Sequence, residues 1–274
     1  MDVRLAAIVA AAAVAATPIA YLQGRQGPSG GFAEPRGEPS PQLTAWAVLG
    51  LRAAGAKPSA AALGYLVAHE DELPDVTDAE LVAMAESVLG RRPERLLTRI
   101  EEARRNDGRI GPNVNSTIWG VLALRQAGEP LPRATLRFIL RRQARSGGWS
   151  WFAGGAPDSN DTAAAVEALR AAGVRGGPIR RALRYLRLLQ NRDGGFELIP
   201  DRGSDSQSTA WAIQAFVAAG ARVPAKAEKY LRHMRRRDGS FRYSARYAAT
   251  PVWVTAQVLP ALARRPFPLQ VQRP

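Results

Sequence analysis

The chain has 274 residues, 46% of them hydrophobic and 23% charged, which is ordinary for a folded protein of one large domain or two small ones. It has no cysteine and only two histidines, His69 and His233. That excludes a disulfide framework, a thioester, a thiolate nucleophile and any cysteine- or histidine-rich metal site. Lysine and arginine total 38 against 24 acids, a net charge of +14, and only Lys57, Lys226 and Lys229 are lysines.

Such a charge fits an anionic partner or the solvated outer faces of helices. Arginines recur at helical spacing, as in Arg180, Arg181, Arg184 and Arg187. No basic stretch is interleaved with stacking aromatics, as single-strand binders require. Outer helix faces are therefore expected, and no nucleic-acid partner.

In chain order, residues 5–16 are an apolar run of twelve, LAAIVAAAAVAA. A membrane-spanning helix needs about twenty. The run follows Arg4 and contains the small-x-small pattern Ala13-Val14-Ala15. Residues 1–16 are expected to be a cleaved signal peptide, giving a secreted or cell-envelope protein without a spanning helix. The competing reading is a first helix of the fold.

From residue 21 the chain repeats itself. Segments 21–55, 138–173 and 185–220 share one plan. A helix ends near a glutamine, a Gly-Gly-aromatic turn follows, and a polar loop closes on a threonine. A second helix rich in alanine and leucine then ends at Ala-Gly. Segments 105–128 and 230–262 fit less well. Thr117, Thr162, Thr209 and Thr255 recur every 45–47 residues. The longer gap after Thr44 holds DVTDAELVAMAESVLG, a degenerate unit around Asp78.

That makes six helical hairpins. The second helices are apolar all round, which predicts burial on every side. The first helices carry arginines on one face and lie outside. The pattern predicts an all-α fold, an α6/α6 toroid over 17–264, with 265–274 as a C-terminal tail. A closed ring needs no capping end repeats.

YLRLLQNRDGGF and FILRRQARSGGW resemble the glutamine–tryptophan repeat of the prenyltransferase and squalene–hopene cyclase superfamily, whose fold is an α/α toroid. PDSNDTA resembles the region of the cyclases' catalytic aspartate motif, Asp-x-Asp-Asp-Thr-Ala. The resemblance covers essentially 17–264. It implies an isoprenoid-type or other small-molecule site in the centre of the ring. Protein prenyltransferases of this superfamily bind zinc through aspartate, cysteine and histidine, which this composition does not supply.

In the cyclases the middle aspartate delivers the proton; here that position is Asn160, flanked by Asp158 and Asp161. An amide has no acidic proton to give. The matching segments Asn113–Thr117 and Asp205–Thr209 make helix capping the competing explanation of these polar residues. Size points the same way, because known triterpene cyclases couple two toroid-like domains and this chain has length for one.

The expected reading is an exported, non-catalytic toroid binding an isoprenoid- or cobalamin-like molecule, monomeric and without cofactor or metal. Carrier toroids of the superfamily imply a separate β-rich partner chain. The alternatives are a class II terpenoid cyclase using Asp158 or Asp161, and a protein–protein interaction module. Candidate pocket residues are Trp46, Trp119, Trp149, Trp151, Phe152, Asn160, Phe196, Asp205, Trp211 and Phe241. Tryptophans at repeat positions are equally compatible with core packing.

Overall fold

The computed structural model describes residues 16–269. Twelve α-helices and no named strand occur among them. Six form an inner ring: α2 (Pro41–Ala53), α4 (Val76–Val88), α6 (Val114–Ala127), α8 (Ser159–Ala171), α10 (Ser206–Ala218) and α12 (Pro251–Leu262). Each is preceded by a helix of the outer layer: α1 (Pro18–Gln23), α3 (Ala60–Ala68), α5 (Glu94–Glu102), α7 (Arg133–Arg141), α9 (Gly177–Leu188) and α11 (Ala225–Met234). Successive inner helices pack side by side, α12 packs on α2, and α1 bridges that seam. The fold is a closed α6/α6 toroid. The leader expected at 1–16 lies, but for Ala16, outside the described residues.

The inner helices are buried around their whole circumference; Ala163, Ala165, Val166, Ala168 and Leu169 of α8 are all inaccessible to solvent. Alanine is used here because closely packed helices leave little room for side chains. At the α2–α12 seam, a Cβ on Gly50 would lie 2.5 Å from the Ala256 carbonyl oxygen, so only glycine permits this approach. On the outer layer Arg180, Arg181, Arg184 and Arg187 are exposed, as their spacing predicts.

The recurring threonine has a specific duty. Its hydroxyl oxygen accepts the backbone N–H of the turn residue before it: Phe32 to Thr44, Ile110 to Thr117, Trp149 to Thr162, Phe196 to Thr209 and Phe241 to Thr255, at 2.9–3.1 Å. The turn is thereby clamped to the inner helix. The N-cap proper lies four residues earlier, at Ser40, Asp158 and Asp205, whose side chains accept first-turn N–H groups. Thr162→Val keeps the shape but leaves the buried Trp149 N–H unpaired. It should cost roughly 1–3 kcal/mol in chemical denaturation. A loss below about 0.5 kcal/mol would show that the clamp carries no stability.

Inner-helix starts are also tied to the following unit. Asn115, Ser159 and Ser206 donate their N–H groups to the carbonyls of Trp151, Leu198 and Tyr243. The last start closes onto the first unit: Val252 and Trp253 donate to the two Glu34 carboxylate oxygens at 3.0 and 2.9 Å.

Candidate functional site

The N-terminal ends of the inner helices surround a cavity of about 390 Å³. Its geometry follows from the threonine register. Two residues after each threonine position, one turn into the helix, stand Trp46, Leu81, Trp119, Ala164, Trp211 and Gln257, and all six line the cavity. Two residues before it stand Gln42, Thr77, Asn115, Asn160 and Gln207, which form a polar tier above them. Leu198 and the half-exposed Trp151 complete the wall from the loops.

Trp46, Trp119 and Trp211 come from alternate inner helices and meet on the axis. Their ring centroids lie 5.5, 5.7 and 6.2 Å apart in edge-to-face geometry. They close the cavity from below. Phe267 lies against Trp46 and Trp211, at 6.3 and 6.0 Å. Segment 265–269, which the sequence presents as a tail, is thus bound into the ring. The Phe267 N–H donates to Glu167 Oε2 at 2.6 Å. Leu269 and the Gln126 side chain exchange two hydrogen bonds of 2.6 and 2.7 Å.

Two carboxyls occupy the position just before the threonine register, Asp78 on α4 and Asp161 on α8, and both line the cavity. Capping is done by others: Asp75 accepts the Asp78 N–H and Asp158 accepts the Asp161 N–H. Asp161 accepts the Asn115 Nδ2 bond at 2.6 Å and its carboxyl also interacts with that of Asp158. Burial, then the neighbouring Asp158 charge, pushes its carboxyl up to about 8, with the Asn115 bond opposing. Burial likewise raises Asp158, and burial followed by Asp75 raises Asp78. Burial thus favours the neutral form of the Asp161 carboxyl.

Of the residues singled out from sequence, Trp46, Trp119, Trp151, Asp158, Asn160, Asp161 and Trp211 are brought together in this cavity. Trp149, Phe196 and Phe241 are not. They are at most 1% exposed, packed in the core with the other turn residues, and the Trp149 indole donates to the Ile139 carbonyl. Phe152 is exposed beside Trp151, outside the lining. Asp205 is consumed in capping α10, bonding the Ser208 N–H and hydroxyl. His69 stacks on Tyr65 and His233 is exposed, both away from the cavity. Among the described residues, no cluster of potential metal ligands occurs and no helix is long and apolar enough to cross a membrane.

No protein-family model matches the chain, and no curated protein matches it. Solved structures do. A protein from Actinoplanes is 20% identical, with 90% of this chain and 97% of that one covered and a TM-score of 0.68. Type II terpene cyclase MstE from Scytonema is 17% identical over 90% of this chain and 95% of its own, with a TM-score of 0.68. Haptocorrin in complex with Cbi is 14% identical over 89% and 65%, with a TM-score of 0.53.

These likenesses show the fold, an α/α toroid like that of the terpene cyclase MstE. MstE is covered almost end to end by this one-toroid chain. The length of a single toroid is therefore no argument against a cyclase, contrary to the expectation from the two-domain enzymes.

Proposed function

We propose that this chain is an exported, non-catalytic binding protein for a small, largely apolar molecule of isoprenoid type, held in the central cavity. The cavity itself carries this reading, with its floor of three tryptophans and its tier of side-chain amides. Its volume sits at the low end of the about 300–1,000 Å³ usual for small-molecule sites. That suits a short prenyl chain, whereas a corrinoid macrocycle would have to part the tryptophans. The apolar run at 5–16 supports export, with Thr17 capping α1 directly after it.

Catalysis of the cyclase kind needs a carboxylic acid strong enough to protonate an alkene. Asn160 is an amide, and burial acts on Asp161 in the opposite sense, holding its proton to about 8. No cationic side chain lines the cavity to stabilise the carboxylate left behind. A second reading keeps Asp161 as the acid. It is favoured by the raised Asp161 carboxyl and by the fold shared with MstE, a variant of which has been solved with geranylgeranyl dihydroxybenzoate as substrate.

Native mass spectrometry of the chain purified from its own host should show one small molecule per chain, lost in Trp119→Ala. Incubation with geranylgeranyl dihydroxybenzoate should return it unchanged. A cyclised product that disappears in Asp161→Asn would overturn the binding reading in favour of the enzyme. Absence of any retained molecule, with no fluorescence response of the tryptophans to prenyl compounds, would refute both.

A further inference from the structure

We infer that the molecule held in the central cavity carries an organic ammonium group with N–H donors, seated between Asp78, Asp161 and Asn115. This rests on the reading of the cavity as a small-molecule site and specifies its ligand.

The first observation is charge. The chain carries +14, yet no arginine, lysine or histidine is among the cavity-lining residues, whereas Asp78, Asp158 and Asp161 are. Arg99 acts on Asp78, and Arg202 on Asp205, from outside the lining. Helix N-termini would by themselves favour an anion, each bringing about half a positive charge. Here those ends are already occupied. Asp75, Asp158 and Asp205 cap three of them, and Glu34 takes the first N–H groups of α12. Asp78 and Asp161 are two further carboxyl groups in the lining, neither of them an N-cap. A phosphate or carboxylate headgroup would meet acids with no cation to answer it.

The second observation is hydrogen bonding. Asn115 is 5% exposed and donates its amide to Asp161, which leaves its Oδ1 as a buried acceptor without a partner. Gln257, on the opposite inner helix, is 1% exposed and its Nε2 is a buried donor without a partner. Both line the cavity. A buried unpaired polar atom is costly, so each marks a place where a ligand atom belongs. Asn115 Oδ1 calls for a donor, flanked by carboxyls of α4 and α8 on its two sides. An ammonium N–H supplies that donor, and its positive charge opposes the burial that holds Asp78 and Asp161 above the usual carboxylate range. The π-rich tryptophan walls favour the same sign. The prenyl-like body then lies on Trp46, Trp119 and Trp211.

Three probes of one shape test this: geranylamine, geraniol and geranyl phosphate, titrated at neutral pH by calorimetry and tryptophan fluorescence. Geranylamine should bind at least ten-fold tighter than geraniol, and geranyl phosphate most weakly. In the double variant Asp78→Asn/Asp161→Asn the amine should lose ten-fold or more while geraniol is unaffected, which also shows that the variant is folded. Geraniol binding as tightly as the amine, or the phosphate binding best, would overturn the ammonium inference and leave the small-molecule reading standing. If none of the three binds, both fall together.

Discussion

Phe267→Ala is expected to destabilise the protein by about 3–5 kcal/mol, the cost of truncating a buried phenylalanine. The side chain is 2% exposed and lies against two of the three tryptophans. Its removal takes the support from beneath Trp46 and Trp211. Tryptophan emission should shift to the red as water reaches the triad, and affinity for any ligand on it should fall. An emission spectrum identical to that of the parent would mean that the triad stands without its prop. Removing residues 265–274 should cost more, since the bonds to Glu167 and Gln126 go as well.

The dependence of stability on pH should run opposite to ordinary acid unfolding. Carboxyls that are paired in the folded state usually make a protein less stable in acid. Here burial raises them instead. Glu80 and Glu167 are held well above the usual carboxylate range by complete burial. Burial, then Glu70, raises Glu86 to about 7 despite Arg91; burial raises Asp205 to about 6 and Asp161 to about 8.

A group whose folded pKa exceeds its unfolded one binds more protons folded than unfolded, so its contribution is lost as pH rises through the folded value. The window runs from about pH 4 to about pH 8, at up to about 1.4 kcal/mol per pH unit per group. The melting temperature should therefore be higher at pH 5 than at pH 8. Glu80, whose two side-chain oxygens have no partner, is the sharpest test. Glu80→Met should stabilise the protein at pH 8 and lose that advantage towards pH 5. A melting temperature that rises from pH 5 to pH 8 would contradict the argument.

Six hairpins in a ring were legible because threonine and the Ala-Gly helix ends mark each unit. The threonines recur because each clamps a turn, so the register they define carries spatial information. It places Trp46, Trp119 and Trp211 correctly on the first turns of inner helices. The same register, counted two residues back, reaches Gln42, Asn115, Asn160 and Gln207, of which the sequence points only to Asn160 as a pocket residue and leaves Asn115 and Gln207 to helix capping. The sequence marks a degenerate unit around Asp78 but not Asp78 as a cavity residue, because α4 carries Ala79 where the others carry threonine; the cap at Asp75 is the signal that aligns Asp78 with Asp161.

The turn aromatics misled for a physical reason. Phe196 and Phe241 recur beside glycine turns at the cavity end of the ring, but their side chains are buried in the core rather than in the cavity wall. Phe267 carries no repeat signature, and nothing in its local sequence marks it as part of the ring.

Closure through α12 has a consequence for the order of events during synthesis. Residue 50 meets residue 256, and Glu34 holds the first turn of α12. Contacts so distant along the chain form late, because the loop-closure entropy must be met first. Earlier hairpins can stack as they emerge, but the stack stays an open arc until the last helix arrives. Phe267, which props the tryptophans, follows later still. A nascent or C-terminally clipped chain thus has most of its helices but no closed central cavity, because the cavity wall needs Gln257 of the last helix.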